Sequence, residues 1–250
     1  MRRLTQTGII MVIGVIVVSS TLNGLFLNFV KPSLRIPLII ASVVLVALSL
    51  YGVFVEDRRR AAVPLAESMH SEGEDGVGAH GHDHAGGPRI GWLLIVPFLL
   101  MSMVSPPPLG AYSAARDGGG LRIESANGLE PLKASDGPVD ISLSEYSARA
   151  IYDPGRSLEG RTVALTGFSS PGEEKGSWVL TRMALACCAA DGYAIKVVVK
   201  NAPPVPTDSW VRVVGTWEPS ATSEDPNKIV LPIVVVTNLT PVAMPEQPYE

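Results

Sequence analysis

Residues 8–30 read GIIMVIGVIVVSSTLNGLFLNFV, and residues 36–55 read IPLIIASVVLVALSLYGVFV. Neither stretch contains a charged residue, and a helix of about 20 residues crosses a hydrocarbon core about 30 Å thick. The second stretch stops at Glu56, which opens a run of charged residues typical of a membrane exit. We therefore predict two transmembrane helices within residues 1–55. A cleaved signal peptide is the alternative for the first stretch, but no small-residue cleavage site follows it.

A third apolar stretch, Ile90–Val104, is shorter and contains Pro97. It either spans the membrane or forms a re-entrant or surface-lying segment, and we predict a span within residues 90–110. The basic residues that flank these stretches fall six on one side and two on the other: Arg2, Arg3, Arg58, Arg59, Arg60 and Arg89 against Lys31 and Arg35. The positive-inside rule then places the N-terminus and the 56–89 loop in the cytoplasm, and three crossings place the rest of the chain outside.

The composition separates this chain from several classes of protein. Of its 250 residues 46% are hydrophobic and 18% are charged, and its mean hydropathy is +0.27. These values argue against a disordered chain and against an ordinary soluble enzyme. Residues 111–250 hold 12 basic and 17 acidic side chains, a net charge of −5. We therefore expect the lipid bilayer as a partner and no nucleic acid.

All four histidines of the chain lie in the polar, glycine-rich range 56–89, which we predict to be disordered. In the run from His80 through His82 to His84 they alternate, so an extended chain turns three imidazoles to one side. Imidazole and carboxylate ligands suit Zn²⁺, Ni²⁺ or Cu²⁺. The loop is therefore either a weak transition-metal site or a solvated linker.

We predict that residues 111–140 form a linker and that residues 141–250 form a β-rich domain. A short helix is expected over Ser142–Ile151, with Ser142 or Ser144 as its N-cap. Five runs with strand character follow: Arg161–Ser169, Trp178–Cys188, Tyr193–Lys200, Trp210–Trp217 and Ile229–Leu239. Five short strands with no long helix between them favour a small OB-like barrel.

Cys187 and Cys188 are the two cysteines of the chain, and they stand before an Asp-Gly pair that favours a tight turn. Adjacent side chains of an ideal strand point to opposite faces, so only a distortion near the turn brings both sulfurs together. The pair is either packing in a core or a soft-metal or redox site. Asp191 is then either a third ligand or a cap on the turn.

These features together resemble the YcgQ-like family of bacterial membrane proteins. The specific parts are two motifs, Cys187-Cys188-Ala189-Ala190-Asp191 and Pro245-Glu246-Gln247-Pro248-Tyr249. The two N-terminal spans, the histidine loop and the third apolar stretch ending in prolines fit as well. The resemblance implies a subunit of a two-component permease whose partner is a larger, multi-span YcgR-like permease. It also strengthens the functional interpretation of the cysteine pair.

We therefore expect an accessory membrane subunit that handles a metal ion, Zn or another transition metal, or another thiol-seeking solute. Three spans are too few for a carrier built from inverted repeats, and the sequence has no nucleotide-binding P-loop. The alternative is a membrane-anchored envelope thiol/redox or metal-binding protein that acts without a permease. Familiar thiol oxidoreductases space their cysteines by two residues, and residues 141–250 contain no histidine, so we predict no enzyme.

Overall fold

The computed structural model describes residues 2–61, 95–104, 106–117, 129–132, 137–174, 176–220 and 230–250. The chain divides into two compact units, Met1–Phe26 with Ser33–Pro106 and Leu27–Pro32 with Pro107–Glu250. The predicted histidine site at His80, His82 and His84 lies outside the described residues.

The first unit is helical. Its described helices are α1 (Arg2–Leu22), α2 (Arg35–Ala61) and α3 (Ile95–Val104). Helix α1 packs along α2, and a Cβ on Gly14 would come within 2.9 Å of the Val46 side chain, so this glycine lets the helices approach closely. Because α2 continues to Ala61, the first residues of the range 56–89 are helical.

Helix α2 is the one helix among the described residues that is long and apolar enough to cross a membrane. The helical stretch Pro32–Arg58, which contains most of α2, has an 18-residue window with a mean hydropathy of 2.7, of which 11% is buried. The described apolar part of α1, Gln6–Leu22, is shorter. Two or three membrane spans therefore remain a prediction.

The predicted first apolar stretch, residues 8–30, is divided between the two units. Helix α1 ends at Leu22, because Gly24 adopts a positive φ of 77° that suits glycine just beyond a helix end. A short 3-10 helix over Leu25–Asn28 follows. Residues from Leu27 to Pro32 belong to the second unit rather than to the helical one.

The second unit carries the β structure. Its described elements are α4 (Ala111–Arg116), β1 (Val139–Asp140), α5 (Leu143–Tyr152), β2 (Thr162–Pro171), β3 (Trp178–Ala184), β4 (Tyr193–Lys200), β5 (Trp210–Glu218) and β6 (Ile233–Pro241). Each of the last five strands overlaps one of the five predicted runs: β4 has the predicted bounds, β3 ends four residues early and β6 begins four residues late. Ser142 is the N-cap of α5 and accepts a hydrogen bond from the Glu145 amide at 3.0 Å. Helix α4 forms within the range predicted as a linker.

The six described strands form one sheet in the order β1-β2-β3-β4-β6-β5, and β2 also pairs with β5. The pairs β1–β2 and β4–β6 are parallel, and the other pairs are antiparallel. The register of β5 against β6 shifts between Val214 and Gly215. A Cβ on Gly215 would collide with the carbonyl oxygen of Val235, so this close approach requires glycine.

One face of the strands and one face of α5 enclose an apolar core. Its fully buried members include Leu143, Leu165, Leu180, Ile195, Val197 and Val213. Tyr146 of α5 is also fully buried, and its hydroxyl donates a hydrogen bond to the Ile233 carbonyl at 2.5 Å. Burial of the phenol raises the pKa of Tyr146, because the ionised form would lose its solvation. This contact holds α5 against β6.

Candidate functional site

The cysteine pair lies in the loop between β3 and β4. Strand β3 ends at Ala184, four residues before the end of the predicted run, and residues 189–191 form one turn of 3-10 helix. The predicted tight Asp-Gly turn is absent from this loop, because Gly192 has an ordinary φ of −63° and caps the 3-10 turn instead. We call residues 185–192 the cysteine loop.

The carboxylate of Asp191 organises the cysteine loop. It accepts backbone hydrogen bonds from Ala186 at 2.9 Å, from Cys187 at 2.8 Å and from Cys188 at 3.3 Å. Three consecutive amides therefore point at one side chain, and they are withdrawn from the strand ladder. An aspartate that competes for backbone amides in this way ends regular structure and favours a turn. This is the physical reason why β3 stops early.

The same carboxylate contacts the Cys187 thiol. The Cys187 sulfur donates a hydrogen bond to Asp191 Oδ2 at 2.9 Å; Cys187 is exposed to solvent and Cys188 is half-buried. One ligand atom from each of Cys187, Cys188 and Asp191 lies within 4.8 Å of the others, the one such group of three in the described part of the chain. The loop thus provides the distortion that brings both sulfurs together.

The hydrogen bond between Cys187 and Asp191 shifts the pKa values of the two side chains in opposite directions. It raises the pKa of Cys187 to about 11, with a smaller contribution from the Cys188 side chain. It lowers the pKa of Asp191 to about 2, with help from the backbone amides. At pH 7 the loop therefore holds a protonated Cys187 thiol beside an ionised carboxylate. Cysteines that act as nucleophiles have a lowered pKa instead.

A second chain segment pairs with the cysteine loop. The amide of Lys31 donates to the Cys187 carbonyl at 3.2 Å, and the amide of Ala189 donates to the Phe29 carbonyl at 2.6 Å. Val30 and Cys188 thereby form an isolated antiparallel bridge. The segment 29–31 stands between α1 and α2 in the sequence, and it belongs to the same unit as the loop. This contact was not predicted from the sequence, because Val30 has the apolar character of a membrane residue.

The motif around Tyr249 lies beside this pairing. The Leu185 amide donates to the Glu250 carbonyl at 3.1 Å, and the Glu250 amide donates to the Met183 carbonyl at 3.0 Å. The end of the chain thereby pairs with the end of β3. The Tyr249 hydroxyl donates to the Asn28 carbonyl and accepts from the Leu109 amide, both at 2.8 Å. Burial raises the pKa of Tyr249. The motif thus joins the segments that follow α1 and α3.

The acidic side chain next to Tyr249 has a separate structural role. The Glu250 carboxylate accepts hydrogen bonds from the amides of Leu143 and Ser144 at 2.9 Å and 2.8 Å, and from the Ser144 hydroxyl at 2.5 Å. A carboxylate at the first turn of α5 satisfies amides that have no partner within the helix. Tyr249 at the end of the motif and the adjacent Glu250 are therefore accounted for by packing and capping.

The fold and the site together describe a protein with an apolar helical part and a β domain that presents two cysteines and an aspartate on one loop. Residues 132–250 match the family model described as the DUF1980 C-terminal domain. This similarity covers 119 of the 250 residues, and it includes α5, strands β1 to β6 and the cysteine loop. Searches of curated proteins and of solved structures found no match.

Proposed function

We propose that the protein is an accessory membrane subunit of a permease, and that it handles a metal ion or another thiol-seeking solute. The cysteine loop carries this proposal. Cysteines that only fill a core are among the most buried residues, whereas Cys187 is exposed. Its sulfur lies close to the sulfur of Cys188 and to a carboxylate oxygen of Asp191. Thiolate ligands select soft transition metals such as Cu(I) and Zn²⁺ over hard cations.

We propose that α1, α2 and the stretch 90–110, which includes α3, each cross the membrane. The apolar part of α1, Gln6–Leu22, extends about 26 Å at 1.5 Å per residue, which is close to the thickness of a hydrocarbon core of about 30 Å. Large apolar side chains are exposed on all three helices, and they include Val15, Leu22, Ile36, Val43, Leu48, Phe54, Leu100 and Val104. Lipid would cover these side chains. The buried hydroxyls of Thr21 and Ser42 bond to carbonyls of their own helices at 2.7 Å and 2.6 Å, as an apolar environment requires.

The pairing of segment 29–31 with the cysteine loop supports three crossings independently of charge. If α1 spans the membrane, this segment lies on the side opposite to the N-terminus, and the β domain paired with it lies there too. Helix α2 then returns the chain to the N-terminal side. One more crossing is needed before residue 107, and α3 stands at that place in the sequence. The positive-inside count makes the side of the β domain the outside.

We further propose that β2 to β6 form an OB-like barrel. Support comes from the pairing of β2 with both β3 and β5, so that the series β2-β3-β4-β6-β5 returns to β2. The parallel pairing of β4 with β6, in a series whose other pairs are antiparallel, is a second feature that supports this barrel. Such a domain offers a rigid frame from which the cysteine loop projects, which suits a subunit that presents a solute to a partner.

The permease partner follows from the helix count and from the resemblance to YcgQ-like proteins. Three crossing helices do not suffice for a carrier built from inverted repeats, so the pathway would come from a multi-span, YcgR-like subunit. The similarity to the DUF1980 C-terminal domain is compatible with this assignment. A thiol enzyme that acts alone is disfavoured by the spacing of the pair, since familiar thiol oxidoreductases separate their cysteines by two residues and Cys187 and Cys188 are adjacent.

The proposal is tested in two steps on the full chain. The affinity-tagged protein is first purified in detergent from its native membrane, and we expect one multi-span protein to accompany it. Cellular accumulation of thiophilic metals is then compared for the wild type and for Cys187→Ser and Cys188→Ser. Ala186→Ser is the matched control, because it adds a hydroxyl to the same loop without touching either sulfur. Wild-type accumulation in both cysteine variants, at normal protein level, would exclude the proposed site.

A further inference from the structure

We infer that an ion at the cysteine loop is held by the two sulfurs of Cys187 and Cys188 alone, with Asp191 as the anchor of the loop. The ligand is then a soft, thiophilic ion of low coordination number, of which Cu(I) is the biological example. This inference rests on the proposed function, and it narrows the class of solute that the site takes.

The Asp191 carboxylate has little hydrogen-bonding capacity left for an ion. Its two oxygens offer about four acceptor positions. The amides of Ala186, Cys187 and Cys188 already point at these oxygens, and the Cys188 amide lies 3.3 Å from both. Charge-assisted hydrogen bonds of this kind are stronger than neutral ones. A carboxylate that turned towards an ion would give up the bonds that shape the loop.

The Cys187 sulfur and the Asp191 carboxylate are too close together to bind one ion as they stand. Cys187 Sγ and Asp191 Oδ2 are 2.9 Å apart. A tetrahedral Zn²⁺ ion, with bonds of about 2.3 Å to sulfur and about 2.1 Å to oxygen, needs about 3.6 Å between these two atoms. The oxygen is fixed by the backbone amides, so the sulfur is the atom free to move. The Cys187 sulfur would therefore leave Asp191 when an ion binds.

The two sulfurs of Cys187 and Cys188 are close enough to bind one ion between them. They lie within 4.8 Å of each other, and two metal–sulfur bonds of about 2.3 Å together bridge up to about 4.6 Å. One ion therefore fits between them with little movement of the loop. Two S–metal bonds form, two thiol protons leave to solvent, and no electron is transferred. An ion with two ligands on a loop that includes the exposed Cys187 remains accessible to an incoming ligand from a partner.

The test uses the full chain in detergent under anaerobic conditions, loaded with Cu(I) or, separately, with Zn²⁺. Competition with a chromophoric chelator gives the affinity, and X-ray absorption at the metal edge gives the bound atoms. We expect one Cu(I) with two sulfur neighbours and no oxygen neighbour, and Zn²⁺ binding at least 100-fold weaker. Cys187→Ser and Cys188→Ser should each lower the Cu(I) affinity by at least 100-fold.

Two aspartate variants separate anchoring from ligation. Asp191→Asn should leave the two-sulfur shell unchanged and lower the Cu(I) affinity by less than tenfold. The matched control is Asp153→Asn, since the Asp153 carboxylate accepts amides from Gly155 and Ser157 in a turn that has no cysteine. This control should change neither the set of atoms bound to the metal nor the Cu(I) affinity.

The outcomes distinguish this inference from the function on which it rests. An oxygen neighbour that disappears in Asp191→Asn, or Zn²⁺ binding as tight as that of Cu(I), would overturn the two-sulfur assignment and leave a metal-handling protein. Failure of the wild type to bind one equivalent of either ion would overturn the proposed function and this inference with it.

Discussion

The buried hydroxyl of Tyr249 offers a sharp test of how the cysteine loop is held. In Tyr249→Phe the ring stays and two hydrogen bonds are lost, one to the Asn28 carbonyl and one from the Leu109 amide, both 2.8 Å long. Each such bond contributes about 1 kcal/mol net, so the substitution should cost about 2 kcal/mol locally. Because 1.4 kcal/mol corresponds to a factor of ten in an equilibrium constant, the equilibrium constant for local opening should increase about 30-fold.

Native-state hydrogen exchange of the full chain in detergent measures this effect. We expect faster exchange, by about 30-fold, of the Leu109 amide and of the amides that link segment 29–31 to residues 187–189, with little change in β4. Tyr152→Phe is the matched control, since it removes the same hydroxyl group from a tyrosine that is 41% exposed to solvent. An effect below threefold in Tyr249→Phe, or one equal to that of the control, would refute the role assigned to this hydroxyl.

Three further predictions concern ionisation, packing and topology. Alkylation of Cys187, followed by mass spectrometry, should show a midpoint near pH 11; Asp191→Asn should move it down towards 9, the ordinary value, because the hydrogen bond to the carboxylate stabilises the protonated thiol. A wild-type midpoint near 9 would contradict the geometry of the loop. Gly215→Ala should lower the free energy of unfolding by about 3 kcal/mol in chemical denaturation, because the new methyl group would collide with the neighbouring strand β6. A loss below about 1 kcal/mol would show that the backbone at the register shift moves to accommodate the methyl group. A periplasm-active reporter should be active when fused after Ala115 and inactive when fused after Gly86, and the reverse pattern would exclude the proposed topology.

The local pattern of the sequence was sufficient for most of the elements of the β domain. The predicted strand Tyr193–Lys200 coincides with β4, and the predicted helix Ser142–Ile151 differs from α5 by one residue at each end. Both are governed by local physics, since alternation places every second side chain in the core and a serine side chain caps the helix. The very short strand β1 has too few residues to show a period, and it was not predicted.

The helical part could be predicted only in part. Residues 36–55 lie within α2, because a continuous apolar run of that length has few other solutions. Residues 8–30 have the same apolar character, yet the structure ends α1 at Leu22 and assigns the last residues of the run to the other unit. Hydrophobicity alone does not distinguish a residue that faces lipid from one that pairs with a distant loop.

The site itself was decided by tertiary structure. The sequence alone singled out Cys187, Cys188 and Asp191 as candidate site residues, and it left open whether the cysteines are packing or a site and whether the aspartate is a ligand or a cap. The structure determines which atoms meet: three backbone amides and one thiol converge on the Asp191 carboxylate, and segment 29–31 pairs with the other edge of the loop. Some of these contacts join residues more than 150 positions apart, and no local pattern records them, because they form only when the whole β domain is folded.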